Sequence, residues 1–210
     1  MLTQVQIKED VIRLIAESAV KKGITLLGGI SGIGKTVTSS VVVGYIKDHN
    51  LFPAERVFYI NTNAEKEAGV DINIAIKDLA AKHAPQPLLI VLDEIRYKSA
   101  IEVALWLVSQ GHSVLGVTQA QPKPKTDTCA GVGLSSILIN IVSWIDEGKK
   151  PAVMTSVLDH LNLLILQDSL EPTHHQALLL TPETRASLRE TLINESLYKF
   201  YLGVDALKAE

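Results

Sequence analysis

The stretch Ile24-Thr25-Leu26-Leu27-Gly28-Gly29-Ile30-Ser31-Gly32-Ile33-Gly34-Lys35-Thr36 decides the fold. Its first four residues form a short apolar run of the kind buried in a sheet. Gly29 to Thr36 then fits the pattern G-x-x-x-x-G-K-S/T. From Lys35 to Asp48 the chain reads as a helix, with Asn50 and Pro53 beyond its end. A strand, a glycine loop and a helix in that order make a cradle for phosphate. Glycines let successive backbone N–H groups turn inward at phosphate oxygens. The helix N-terminus adds free N–H groups and the positive end of its dipole. In such a loop the Lys35 ammonium faces the β- and γ-phosphates and the Thr36 hydroxyl ligates Mg²⁺. The expected nucleotide-binding set is Gly29, Ile30, Ser31, Gly32, Ile33, Gly34, Lys35, Thr36 and Val37.

Outward from this loop, strand-like and helix-like segments alternate. Ile7 to Lys22 has helical apolar spacing. Arg56 to Ile60 reads as a strand, Ile72 to His83 as a helix, Leu88 to Leu92 as a strand, Lys98 to Gln110 as a helix and Ser113 to Val117 as a strand. The strands lack strict period-two alternation, so they are expected to be buried on both faces, in a mostly parallel sheet flanked by helices. Gln119 to Ala130 is a polar loop with two prolines. Beyond it, Val132 to Leu161 reads as mostly helical. Leu163 to Gln167 and Ala177 to Leu180 follow as strands, with His174 and His175 in the turn between them. Thr181-Pro182-Glu183 opens a helix with a cap, a proline at the first position and an acid. Glu195 to Leu207 carries a wide apolar stripe, expected to pack on this domain or on a partner. The whole chain is expected to form one domain: an N-terminal helix (1–22), a nucleotide-binding core (23–119), a loop (120–131) and a mainly helical C-terminal segment with strands (132–210).

The run Leu88 to Leu92 delivers Asp93 and Glu94 at its C-terminal end. In an open α/β sheet that edge is where ligands bind. Asp93 is expected in the Mg²⁺ shell, with Thr36, and Glu94 as the carboxylate that polarises attacking water.

Composition narrows the rest. Of 210 residues, 47% are hydrophobic, enough to fill a core. Lys and Arg total 20 against 23 Asp and Glu, so no basic excess invites nucleic acid, and direct nucleic-acid binding is not expected. Aromatic residues, at 5%, are too few for a base-stacking platform. The single Cys129 excludes an intrachain disulfide and a cysteine-clustered metal site, and fits a reducing cytoplasm. The acidic start (MLTQVQIKED) is unlike a signal peptide. Leu134 to Ile145 is too short and too polar to span a bilayer.

The second nucleotide region is more specific. Leu92-Asp93-Glu94-Ile95-Arg96-Tyr97-Lys98-Ser99-Ala100-Ile101-Glu102-Val103-Ala104-Leu105, then Ser109-Gln110-Gly111-His112-Ser113-Val114-Leu115-Gly116, resembles the secretion ATPase superfamily, the motors of type IV pili, type II and type IV secretion, and conjugation. The family pattern runs roughly G-E-x-R-D-x-E-T, A-L-x-A-A-x-T-G-H and V-x-x-T-L-H, in the same order. Leu161 to Leu170 (LNLLILQDSL) resembles the family strand L-R-G-V-I-A-Q-R-L, with Gln167 at its glutamine. The resemblance covers about residues 20 to 190. It implies a RecA-like fold, ATP and Mg²⁺ as ligands, and an ATPase that couples turnover to movement. It further implies a ring, a hexamer in this family, in the cytoplasm at an inner-membrane platform. By the same resemblance His112 corresponds to a nucleotide-sensing histidine, and Glu65 is the one acid left of a box that orients water and metal. Arg96 corresponds to a family arginine, as an ion-pair partner or a relay to a neighbouring subunit.

The departures are as informative. Where the family has T-I-E-D-P-x-E, this chain has Tyr59-Ile60-Asn61-Thr62-Asn63-Ala64-Glu65. The second family histidine falls on Gln119, an aspartate on Tyr97, and the arginine of the Q-R pair on Asp168. About 22 residues precede the first strand, where family members carry a domain supplying arginines. The missing arginines are expected from self-association or from a separate partner chain. Two rival readings stay open: a catalytically weak regulatory or scaffold subunit, motivated by the depleted acidic box, and another RecA-like ATPase acting on nucleic acid.

Overall fold

The structure is a computed structural model that describes residues 7–95, 97–120, 133–170, 173–194 and 197–207. It opens with α1 (Glu9–Ala19), β1 (Gly23–Gly29) and α2 (Lys35–Asp48), followed by β2 (Val57–Asn61), α3 (Thr62–Glu67) and α4 (Ile72–His83). Next come β3 (Leu89–Asp93), α5 (Lys98–Ser109) and β4 (Ser113–Gln119). The expected loop at 120–131 lies almost wholly outside the described residues, and beyond it stand α6 (Ser135–Val142), α7 (Lys150–His160), β5 (Leu161–Leu170), β6 (Thr173–Leu179), α8 (Pro182–Asn194) and α9 (Leu197–Ala206).

The strands form one sheet in the order β2-β3-β4-β1-β5-β6. All neighbours pair in parallel except β5 and β6, which are antiparallel. The expected mostly parallel α/β sheet is thus the observed one. Burial on both faces explains the strand composition. Leu27, Leu89, Val91, Leu115, Leu163 and Ile165 pack under α1 and α2. Ile24, Leu26, Ile90, Leu92, Val114, Leu164 and Leu166 pack on the opposite side, against α4 to α9. Each strand therefore needs apolar residues at odd and even positions alike.

Several elements differ from expectation in extent. β1 runs on through Gly28 and Gly29, because both pair with β4 and β5, and only glycine fits there since α6 and β5 approach closely. A Cβ on Gly28 would lie 2.3 Å from Ile137 Cγ1, and one on Gly29 2.5 Å from the Gln167 carbonyl oxygen. α3, at Thr62–Glu67, is a short helix to which the sequence pattern assigns no element. His174 and His175 lie on β6, not in a turn, since antiparallel pairing with β5 begins at Thr173. The segment from 133 onward is largely helical, as expected, and its two strands extend the same sheet. α8 begins as its sequence demands: the Thr184 amide donates to the Thr181 hydroxyl at 3.1 Å. Among the described residues no helix is long and apolar enough to cross a membrane.

The Gly28 contact can be tested. Gly28→Ala is expected to destabilise the fold by about 1–3 kcal/mol, the usual cost of overpacking. Ile137→Ala in the same chain, which removes the opposing branch, is expected to make that added methyl nearly neutral in a double-mutant cycle of urea unfolding.

Candidate functional site

β1 lies between β4 and β5, and the chain leaves its C-terminal end for α2 and then for the far edge of the sheet. This is the crevice where open α/β sheets place ligands. The loop from Gly29 to Gly34 fills it. Gly32 and Gly34 have φ of +79° and +86°, in the left-handed region that glycine adopts without a Cβ penalty. No heavy atom lies within 4 Å of where a Gly32 Cβ would stand. Ile33 turns inward and anchors the loop in the core, while Ile30, Ser31 and Val37 face outward.

Two hooks shape this loop. From β5, the fully buried Gln167 donates from its amide to the Ile33 carbonyl and accepts from the Thr38 hydroxyl at 2.8 Å. From β3, Asp93 meets the first turn of α2. The Thr36 hydroxyl donates to Asp93 Oδ2 at 3.1 Å, and the Tyr59 hydroxyl donates to the same oxygen at 2.6 Å. Asp93 is 2% exposed, so these donors answer a carboxylate that has little water.

Lys35 is 7% exposed and its ammonium donates to the Ile30 carbonyl at 2.8 Å, folding the loop onto itself. Burial lowers its pKa, and the Glu94 and then the Asp93 carboxylate act in the opposite sense. The structure therefore brings Lys35, Thr36, Asp93 and Glu94 to one place. Glu94 has φ of +71°, a left-handed conformation costing a non-glycine residue on the order of 1–3 kcal/mol.

Other expected residues stand elsewhere. His112 is not at the loop. It precedes Ser113, which pairs with Gly23 at the start of β1, whereas the loop follows Gly29, which pairs with Gln119. Six strand steps, about 20 Å, separate the two edges. Parallel strand direction is the reason: a residue before β4 must lie at the edge opposite its end. There His112 Nδ1 accepts from the Leu88 amide at 3.1 Å, and burial lowers the ring's pKa. Gln119, where the family has its second histidine, is the residue placed beside Gly29. Glu65 lies on α3, which follows β2 at the sheet edge where Asp93 ends β3, and lines a cleft with Ile60, Ile72, Ile76, Leu79 and Lys82. Arg96 and Cys129 lie outside the described residues. The sequence reading missed Tyr59 and the physical role of Gln167. Neither carries a local signal, because each acts through partners far along the chain.

Gln167→Leu is expected to cost about 1–3 kcal/mol, because it strands the Ile33 carbonyl in a dry place and leaves the Thr38 hydroxyl only its long bond to the Gly34 carbonyl, 3.4 Å. Urea unfolding reads this directly. Tyr59 supplies a pH test. Burial first, then its bond to Asp93, pushes its pKa from 10.0 up to about 12. A raised pKa contributes stability that is full below the ordinary value and is lost as pH rises through the folded one. Between pH 10 and about 12, wild type is therefore expected to lose stability relative to Tyr59→Phe. Parallel stability curves across that window would refute the assignment.

The chain matches no protein-family model. It is 24% identical over 203 residues to a twitching motility protein of Neisseria gonorrhoeae, covering 89% of this chain and 50% of that one. Its fold is similar to that of the ATPase DotB of Yersinia pseudotuberculosis, with TM-score 0.67 and 16% identity over 99% of this chain and 55% of that one. It is similar as well to the pilus retraction motor PilT solved with bound ADP, with TM-score 0.61 and 16% identity, covering 93% and 57% of the two chains. This chain thus spans about half the length of the relatives it matches. In the order of its nucleotide motifs and in its fold, the chain resembles the secretion ATPase superfamily.

Proposed function

We propose that this chain binds Mg-ATP at Gly29 to Val37 and hydrolyses it, as a motor subunit of a secretion, pilus or conjugation apparatus. One observation carries the reading: the Thr36 hydroxyl and the buried Asp93 carboxylate meet beside the Lys35 ammonium at the mouth of a glycine cradle. Those groups fit a magnesium triphosphate. The open space at Gly32 admits phosphate oxygens, and the left-handed glycines turn backbone N–H groups toward them. Thr36, with Asp93 behind it, would hold Mg²⁺, which supplies charge neutralisation at the phosphate oxygens.

The chain's own residues then divide the work. Lys35 exchanges the Ile30 carbonyl for a phosphate oxygen. Asp93 keeps the Thr36 hydroxyl oriented. Glu94 orients the attacking water and takes its proton. His112 stands at the opposite edge of the sheet and Glu94 adjoins Asp93, so water activation is assigned to Glu94, with Glu65 on α3 as the other candidate acid. That same placement is the observation favouring the second reading, a regulatory subunit of the same apparatus with slow turnover.

Phosphoryl transfer also needs cationic charge at the γ-phosphate, commonly an arginine from a neighbour. Self-association into a hexameric ring would supply such a charge, and so would a separate chain carrying the arginine domain. An inner-membrane platform on the cytoplasmic side completes the proposed setting. Light scattering is expected to show larger species with Mg-ATP than without. A monomer indifferent to nucleotide would remove the ring from the reading.

Lys35→Ala is expected to abolish Mg-ATP binding in calorimetry while leaving the fold intact. Glu94→Gln is expected to keep affinity within a few-fold and to lower turnover by roughly two orders of magnitude, the scale of a lost general base. Equal affinity in the folded Lys35 variant would overturn the nucleotide site. Unchanged turnover in the Glu94 variant would move the base elsewhere.

A further inference from the structure

Consecutive strand residues point to opposite faces of a sheet. Along β3, Leu89 and Val91 pack under α1 and α2, while Ile90 and Leu92 pack on the other side. Asp93 follows the first set, toward α2. A Glu94 in extended conformation would follow the second, away from the phosphate loop. Instead its left-handed backbone turns the chain, and both carboxylates act on the Lys35 ammonium.

That turn is held from both sides. Thr62, first residue of α3 after β2, sends its hydroxyl to the carbonyl oxygens of Asp93 and Glu94, at 3.0 and 2.7 Å. Thr118, on β4, donates to the Ile95 carbonyl at 2.5 Å. The Ile95 amide donates to the Val117 carbonyl at 2.7 Å. Behind Thr118, the Asn140 side chain of α6 donates to the Thr118 hydroxyl oxygen at 2.9 Å, which leaves the hydroxyl proton for Ile95. Thr62, Thr118 and Asn140 are all buried, so these bonds are not exchanged with water.

We infer that Thr62 and Thr118 are positioning residues for Glu94: from the two elements flanking β3, their hydroxyls hold the carbonyls of the Asp93–Glu94–Ile95 turn and aim the Glu94 carboxylate at the phosphate loop. The strained residue keeps its conformation because neighbouring elements over-determine it. Asn140 sets the direction of the Thr118 hydroxyl and makes α6 part of the same support. The functional half of this inference rests on Glu94 being the water-orienting group.

Valine matches threonine in shape and lacks the hydroxyl. In the full chain, Thr118→Val and Thr62→Val are each expected to lower turnover about tenfold while affinity for Mg-ATP stays within twofold. Thr118→Ser, which keeps the hydroxyl, is expected to stay within twofold of wild type in both. Asn140→Leu, one layer further out, is expected to lose about threefold in turnover and serves if a valine variant fails to fold. Hydrogen exchange at the Ile95 amide is the readout independent of catalysis, with protection expected to fall about tenfold in Thr118→Val and to be retained in Thr118→Ser. Wild-type turnover together with wild-type Ile95 protection in the valine variants would overturn the inference. So would equal losses in the serine and valine variants, which would reduce Thr118 to packing. If Glu94→Gln itself leaves turnover unchanged, the reading of Glu94 fails, and Ile95 protection alone then decides whether the clamp exists.

Discussion

Asp93 is a carboxylate at the end of an apolar strand with almost no water around it. A buried charge costs several kcal/mol unless hydrogen bonds and opposite charge answer it. Here the answer comes from three groups on two elements: the Thr36 hydroxyl and the nearby Lys35 ammonium of α2, and the Tyr59 hydroxyl of β2. β3 is not a neighbour of β1, since β4 lies between them. Satisfying Asp93 therefore draws the first turn of α2 across β4 and ties the loop after β1 to the far half of the sheet.

Gln167 does the corresponding work from the other side. Its amide takes both its bonds from the loop and from α2, so the cradle is suspended between β3 and β5 with β1 as its stem. A cradle held at both rims is shaped in advance, and pre-shaping of this kind lowers the ordering cost of binding a ligand. Lys35, folded onto the Ile30 carbonyl, completes a loop that is closed on itself. The packing that allows this is tight: Gly28 and Gly29 leave no room for side chains where α6 and β5 press on the loop's stem.

The same edge shows how backbone geometry and chemistry are joined. Asp93 continues the alternation of β3, whereas Glu94, next in sequence, departs from strand geometry with a left-handed backbone. Buried polar side chains on both flanks hold that departure in place. Buried threonines are easily taken for filler. Their hydroxyls meet carbonyls that the turn withdraws from the sheet ladder, where an unpaired carbonyl would be costly.

What the sequence determined by itself was local and periodic. Gly29 to Thr36 matched the phosphate-loop pattern because that pattern demands its residue types within a short stretch of chain. The unbroken apolar runs named buried parallel strands, and the Leu88–Asp93 run placed acids at a strand end. The helix ends at Asp48 and His83 followed from Asn50 and Pro53 beyond the first and Pro85 beyond the second. Tertiary structure alone decided the rest, because it depends on which distant segments meet. His112 sits inside a sequence motif, but strand direction carries it to the edge away from the loop. His174 and His175 belong to a strand only because β5 offers an antiparallel partner. Glu65 faces a cleft with α4 because α3, a helix that the polar stretch does not announce, turns it there. Gln167, Thr62 and Thr118 are ordinary residues in the sequence, and their meaning comes from carbonyls and hydroxyls far along the chain that only folding brings within a hydrogen bond.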